Sequence, residues 1–239
     1  MQKMKKKSTV SRRGFFKSTL AGAAAFSAAG YLTLPAMAKV AEEVTVQETP
    51  GYGDYLKDRD LGDQKLPVTE DNIEGPFFRP NAPFQEVLYE KGALGDKYVV
   101  SGAVKARNGR PLKGALVEIW QADEKGRYDN DNPGNQPRKD EFKFRARVRT
   151  NENGEYRFET IRPAQYQISR TQFRPAHIHI KVHQKGYVSL TTQLYFEDDP
   201  INASDPWFKK SLIVKYEKKK TGKFEGSFRF VLPKKNREK

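Results

Sequence analysis

The 239-residue chain has no cysteine. That excludes a disulfide scaffold, cysteine-ligated zinc, iron–sulfur clusters and a thiol nucleophile. Histidine is nearly absent too, with three in the chain, so any metal site must be completed by Tyr, Asp or Glu. No run approaches the ~20 strongly apolar residues of a bilayer span, so no stable membrane span is expected. Residues 1–38 contain no acidic residue and seven basic ones; they account for half of the formal charge of +14 and leave about +7 for the rest. No Lys/Arg stripe runs among stacking aromatics, and Lys218–Lys220 and the tail from Lys234 read as solvated surface. Nucleic acid is therefore not an expected partner. Aromatics are plentiful, with 11 Tyr and 15 Phe, too many for a disordered chain.

The missing acids at the N-terminus belong to a pattern. Ser11-Arg12-Arg13-Gly14-Phe15-Phe16-Lys17 precedes a mild Ala/Gly/Leu stretch that ends in Ala36-Met37-Ala38. A basic region, a modest apolar run and a small-x-small end make a cleavable export signal. The paired arginines resemble the twin-arginine type. Residues 1–38 are expected to be that signal, cleaved near Ala38, with the mature protein periplasmic or secreted. A cysteine-free chain suits an oxidising compartment.

Residues 39–96 are rich in Pro, Gly and charge and read as an extended N-terminal arm. From residue 97 to 239 the pattern is strand-like. Tyr98–Lys105, Ala115–Trp120, Phe142–Thr150, Glu155–Thr160, Ala176–Val182, Ser189–Phe196 and Phe224–Leu232 give about seven strands separated by turns, with no helical period. Strict alternation over Phe142–Thr150 predicts Phe142, Phe144, Ala146 and Val148 on one face. The expected fold is all-β, an antiparallel β-sandwich with long active-site loops. Residues 129–140 form one such loop.

The three histidines are His177, His179 and His183. On a strand, His177 and His179 project to the same face and their imidazoles can converge on one ion. His183 lies roughly 13 Å beyond His179 and reads as a rim residue. H-x-H alone is also compatible with a plain surface strand. No later His is present, which disfavours a cupin or a three-histidine zinc site; two His plus one carboxylate stays open. Tyr128 and Tyr166, both in loops, are the other candidates, because a phenolate is a hard anionic donor suited to a ferric ion.

Several separated stretches share one order: Glu74-Gly75-Pro76-Phe77-Phe78, Gly114–Asp123 with Gly126-Arg127-Tyr128, Arg147–Thr150 with Gly154-Glu155-Tyr156, Thr160–Tyr166, Arg174–His179, and Thr191–Phe196. Together they make the chain, from about Thr69 to Leu232, resemble the intradiol ring-cleavage dioxygenases, with a layout similar to the β chain of protocatechuate 3,4-dioxygenase. The resemblance implies Fe(III) held by Tyr128, Tyr166, His177 and His179, and a small aromatic diol cleaved with O2 to a muconate-type diacid. It implies that Tyr166 is displaced and takes a proton, that Arg174 stabilises developing negative charge, and that Gln193 is a polar wall residue. Protocatechuate is expected ahead of catechol and hydroxyquinol, although Gln167-Ile168 stands where protocatechuate enzymes tend to have Pro-Trp. A homo- or hetero-oligomer is compatible with this. The alternative is a non-catalytic exported β-sandwich binding module.

Overall fold

A computed structural model describes residues 66–134 and 136–235. The expected export signal and residues 39–65 of the arm lie outside the described residues. The strands are β1 Lys97–Ala106, β2 Leu116–Gln121, β3 Arg145–Arg149, β4 Glu155–Ile161, β5 Tyr166–Gln167, β6 Phe173–Arg174, β7 His177–His183, β8 Leu190–Phe196, β9 Ile213–Val214, β10 Tyr216–Lys218 and β11 Phe224–Leu232. Among the described residues helix is limited to two single 3₁₀ turns, at Asn202–Ser204 and Lys210–Leu212.

One sheet has four strands in the order β10-β11-β1-β4, and a second has five in the order β3-β2-β7-β8-β9. Alternation in β1 and β4 turns Val100, Val104, Tyr156 and Phe158 inward, where they meet Val117, Ile119, Ile178, Ile180 and Leu194 of the other sheet in one core. A fully buried side chain of this size contributes ~1.5–3 kcal/mol each. The sandwich is as expected, but its sheets are mixed: β1 pairs with β11, and β8 with β9, in parallel.

The expected strand over Phe142–Thr150 is shorter than the alternation predicts. Phe144 has φ +51°, outside the extended region, which stops the ladder before Arg145. Phe142 lies instead under the Arg79 guanidinium, 4.5 Å from it.

β3 and β4 are edge strands, with unpaired backbone groups that need cover. The segment 83–88 supplies it. Arg147 donates its backbone N–H to Pro83 at 2.8 Å, and Leu88 donates to Glu159 at 2.9 Å. Phe84 and Val87 form parallel bridges to Arg147 and Glu159.

The five-stranded sheet is covered on both faces. Its inner face is the sandwich core; its outer face carries Trp120, His177, His179, Gln193 and Tyr195 beneath loops. A second cluster of Phe77, Trp120, Ala122 and Tyr128, with Phe78 and Tyr166 packed against it, sits there. This is why β8 is buried at every position, as a strand covered on both sides must be.

Candidate metal centre

Strand register puts the chemistry-bearing residues in rows. Arg145, Trp120, His179 and Gln193 lie side by side across β3, β2, β7 and β8, and His177 faces Tyr195 in the next row. His177 donates from Nδ1 to the Pro175 carbonyl at 2.7 Å, which leaves its Nε2 lone pair free. That Nε2 lies 3.1 Å from His179 Nε2. Two metal–nitrogen bonds of about 2.1 Å at roughly a right angle span about 3 Å. Trp120 stacks on His179 at 4.8 Å, 9° from parallel, and holds the ring flat.

Tyr128 arrives from the turn after β2. Asp123 Oδ1 accepts the backbone N–H of Lys125 at 2.8 Å and of Arg127 at 2.9 Å, an Asx-type turn. Gly126 in that turn has φ +77°, and a Cβ there would stand 2.5 Å from the Gln165 carbonyl. Only glycine lets the Tyr128 turn lie this close to the Tyr166 strand. Tyr166 in turn stands opposite Arg174 in the β5–β6 ladder.

The four aromatic rings close a circuit. Centroid separations are 4.8 Å for His177–His179, 6.2 Å for His179–Tyr128, 5.6 Å for Tyr128–Tyr166 and 5.6 Å for Tyr166–His177. Phe77 stacks on Tyr128 at 4.3 Å and meets Tyr166 edge-on, forming a roof. The Tyr128 hydroxyl is buried and makes no well-formed hydrogen bond among the described residues; its polar neighbour there is the other phenol, Tyr166, an under-satisfied arrangement that favours an occupant. Among those residues no trio of His, Asp or Glu is placed to hold a metal. A cation here must draw on phenolic oxygen, and the residues present fit a ferric ion.

Burial pushes both imidazoles well below the usual histidine range, with the Arg174 charge adding to the effect. They are neutral at physiological pH, the form that ligates metals. Burial also pushes the Tyr128 and Tyr166 phenols up; Arg174 pulls both back in part. A trivalent cation is what would deprotonate them, so metal binding here is coupled to proton release.

Arg174 is 2% exposed. Its Nη2 donates to Gln193 Oε1 at 2.6 Å and to Asp205 Oδ2 at 3.1 Å, and its guanidinium covers Trp207 at 4.7 Å. Tyr195 donates its hydroxyl to Gln193 Oε1 at 2.9 Å. Gln193 spends its amide on the Ile73 carbonyl at 2.9 Å, which ties down the roof segment. The structure thus brings together Tyr128, Tyr166, His177, His179, Arg174 and Gln193. His183 is apart, bonded to Ser189 and Glu118 at 2.9 and 3.1 Å. Sequence reasoning missed Asp205, Trp207, Asp129 and Arg145. Arg145 stands on the polar side of the alternating stretch Phe142–Thr150 and so reads as an ordinary outward-facing arginine, while Asp129, Asp205 and Trp207 lie in turn-like stretches where an aspartate is unremarkable. A separate groove of about 1070 Å³ runs past Lys105, Arg147, Arg149, Arg157 and Arg229, away from the histidines.

The fold and this cluster define a class. Residues 73–234 match the family described as Dioxygenase, and the chain belongs to the intradiol ring-cleavage dioxygenases. It is 35% identical to the chlorocatechol 1,2-dioxygenase of Rhodococcus opacus over 159 residues, 57% of this chain and 60% of that protein. It is 36% identical to the protocatechuate 3,4-dioxygenase beta chain of Burkholderia cepacia over 157 residues, 64% of this chain and 66% of that one. The crystal structure of 3-chlorocatechol 1,2-dioxygenase from Rhodococcus opacus 1CP superposes with a TM-score of 0.65 at 35% identity, covering 70% of this chain and 73% of that one. The chain spans 56–60% of the length of several of the curated relatives it matches.

Proposed function

We propose that this protein is a non-haem Fe(III) intradiol dioxygenase that cleaves a catechol with O2 to a muconate-type diacid. The observation that carries the reading is the closed circuit of two imidazoles and two phenols, with the two Nε2 atoms 3.1 Å apart. Names of the relatives support it: they are chlorocatechol, catechol, hydroxyquinol and protocatechuate dioxygenases.

Tyr128, Tyr166, His177 and His179 would hold the iron, whose contribution is Lewis-acid polarisation of the diol oxygens and acceptance of electron density from the ring. The Tyr166 oxygen, a phenolate once the site is loaded, would take one proton from the diol as it binds and become the neutral phenol. Arg174, fixed by Gln193 and Asp205, stabilises negative charge that develops beside it in the water-poor site. Phe77 and Phe78 roof the centre and exclude water, which strengthens each of these interactions.

The sequence puts protocatechuate first, partly for its layout similar to the protocatechuate β chain and partly because a net excess of about +7 would draw in an anionic acid. The site weighs the other way. Arg174 is held by Asp205 and Gln193 and is assigned to charge developing on the reacting ring rather than to a ring carboxylate, and relatives named for catechol, chlorocatechol and hydroxyquinol stand beside the protocatechuate one. We therefore rank an uncharged catechol ahead of protocatechuate. The test is oxygen uptake by the iron-loaded protein with catechol, chlorocatechol, hydroxyquinol and protocatechuate, with products identified. A burgundy protein yielding a muconate-type diacid is expected. A colourless, inert protein would favour a binding module, and a semialdehyde product would overturn the ring-cleavage assignment.

Export through the twin-arginine route is part of the same proposal, supported by Ser11–Lys17. Replacing Arg12 and Arg13 by Lys is expected to leave precursor in the cytoplasm, read by fractionation; normal export of the variant would refute the route.

A further inference from the structure

Tyr128 is followed directly by Asp129, whose side chain is 3% exposed. Three parts of the chain converge on that carboxylate. Arg145 of β3, 1% exposed, donates Nε and Nη2 to Oδ1 at 2.8 and 2.5 Å. Arg79, one residue beyond the Phe77-Phe78 roof, donates Nη1 to Oδ2 at 2.7 Å. Lys143, at the far end of the long loop, donates its backbone N–H to the same oxygen at 3.2 Å. Arg79 also closes the loop on itself by donating to the carbonyls of Glu141 and Arg138, at 2.8 and 2.9 Å. Arg145 Nη2 reaches Asn130 Oδ1 at 2.8 Å.

Each connection has a consequence for Tyr128. Arg145 lies in the row that continues through Trp120 to His179, so Asp129 is bolted to the sheet that carries the histidines. Arg79 links the same carboxylate to the segment whose Phe77 stacks on the Tyr128 ring. The tyrosine is thereby fixed from its backbone side and its ring side. Charge matters as well. Two guanidinium groups meet the Asp129 carboxylate, and a second carboxylate, Asp131, accepts the Tyr128 backbone N–H at 3.0 Å, so the guanidinium charges beside Tyr128 are balanced and removing either one leaves a net negative charge there. The Arg174–Asp205 pair on the other flank is neutral by the same count. Arg145 Nη1 is buried without a partner among the described residues.

We propose that Asp129, Arg145 and Arg79 form a positioning clamp for Tyr128, and that its two guanidinium charges, set against Asp129 and Asp131, tune that tyrosine as an oxygen donor to iron. The proposal rests on Tyr128 being an iron ligand. The clamp keeps the phenol oxygen in register with the two Nε2 atoms, and its guanidinium groups lower the energy of the phenolate electrons. The roof, the long loop and the sheet all meet at one carboxylate, so they are held together or released together.

The experiment uses the full chain loaded with ferric iron, with Arg79→Gln, Arg145→Lys, Arg145→Met and Asp129→Asn. Readouts are iron retained against a fixed chelator, the position of the visible tyrosinate-to-iron band, and circular dichroism of the iron-free chain. Arg79→Gln, whose site is 15% exposed, is expected to keep its fold, which the circular dichroism of the iron-free chain checks. It is expected to retain iron about tenfold less tightly, the usual effect of losing a partner one shell out from the metal. Its band should move to longer wavelength, because removing positive charge raises the phenolate electrons. Arg145→Lys should lie between wild type and Arg145→Met. Folded Arg79→Gln and Arg145→Lys with wild-type band and iron retention would overturn the clamp while leaving the iron site standing. A wild-type protein that binds no iron and shows no band would overturn both.

Discussion

At the scale of the residue, Asp205 illustrates how much depends on one buried charge. Its carboxylate accepts from Arg174 Nη2 at 3.1 Å and from the Tyr195 hydroxyl at 3.3 Å. Removing one partner of a buried pair leaves the other uncompensated, at ~3–5 kcal/mol. Asp205→Ala is therefore expected to lose that much stability in urea unfolding. Tyr195→Phe, which removes one neutral hydroxyl from the same network, should cost about 1 kcal/mol. The histidines behave differently. His177→Ala and His179→Ala delete a nitrogen donor each and are expected to lose bound iron, measured as metal per chain. Tyr166→Phe should weaken the visible band and slow turnover. Full colour and iron in all of these variants would sink the proposed ligand set.

Elements meet this molecule's constraints at seams. β4 is an edge strand, and Glu159 at its covered edge collects hydrogen bonds from Lys223 at 2.5 Å, Arg157 at 2.6 Å and Tyr89 at 3.1 Å. Burial pushes the Glu159 carboxyl up, but those three donors together outweigh it and hold it down at about 2. A carboxyl lower in the folded chain than the ~4.3 of an unfolded glutamate stabilises above that unfolded value. That contribution is lost as pH falls from about 4.3 towards 2. Arg157 and Lys223 are partly solvated, so it is on the order of 1–2 kcal/mol. Glu159→Gln should flatten the decline of unfolding free energy between pH 5 and pH 2.5, followed in urea; an unchanged slope would remove Glu159 from the account. β1 and β11 pose a tighter constraint. A Cβ on Gly102 would stand 1.7 Å from the Phe228 carbonyl oxygen, a backbone atom with nowhere to move. Gly102→Ala is expected to break the parallel β1–β11 pairing, seen as loss of the cooperative thermal transition.

Across the whole molecule, stability and chemistry sit on opposite faces of one sheet. The inner face of β2, β7 and β8 is aliphatic and shared with the four-stranded sheet. The outer face holds the aromatic and ionisable residues. Phe158→Ala, in the sandwich core and fully buried, should cost ~3–5 kcal/mol. It should leave the band position of iron-loaded protein unchanged, because no atom of the outer face moves with it. A shifted band would show that the two faces are coupled through the sheet.

Most of the framework was legible in the chain. The strand-like pattern located β1, β2, β4, β7, β8 and β11 to within about two residues, by alternation in β1, where one side of the strand meets the core, and as a short apolar run in β2. It overran at β3, where the backbone of Phe144 turns out of the extended region although its side chain fits the pattern. His177 and His179 were legible because H-x-H places both on one face, and Tyr128, Tyr166, Arg174 and Gln193 through the family resemblance. Which strands pair in parallel was not legible, because local pattern does not encode a partner distant in the chain. Asp205, Asp129, Arg145 and Arg79 were invisible for a related reason. Each acts through a partner 16 to 50 residues away, and only packing brings their charges together. Composition and alternation determined an all-β chain with a histidine pair on one strand. The tertiary structure decided that two loops bring phenols to that pair and that buried carboxylates hold the flanking arginines, because convergence is a property of folded distance.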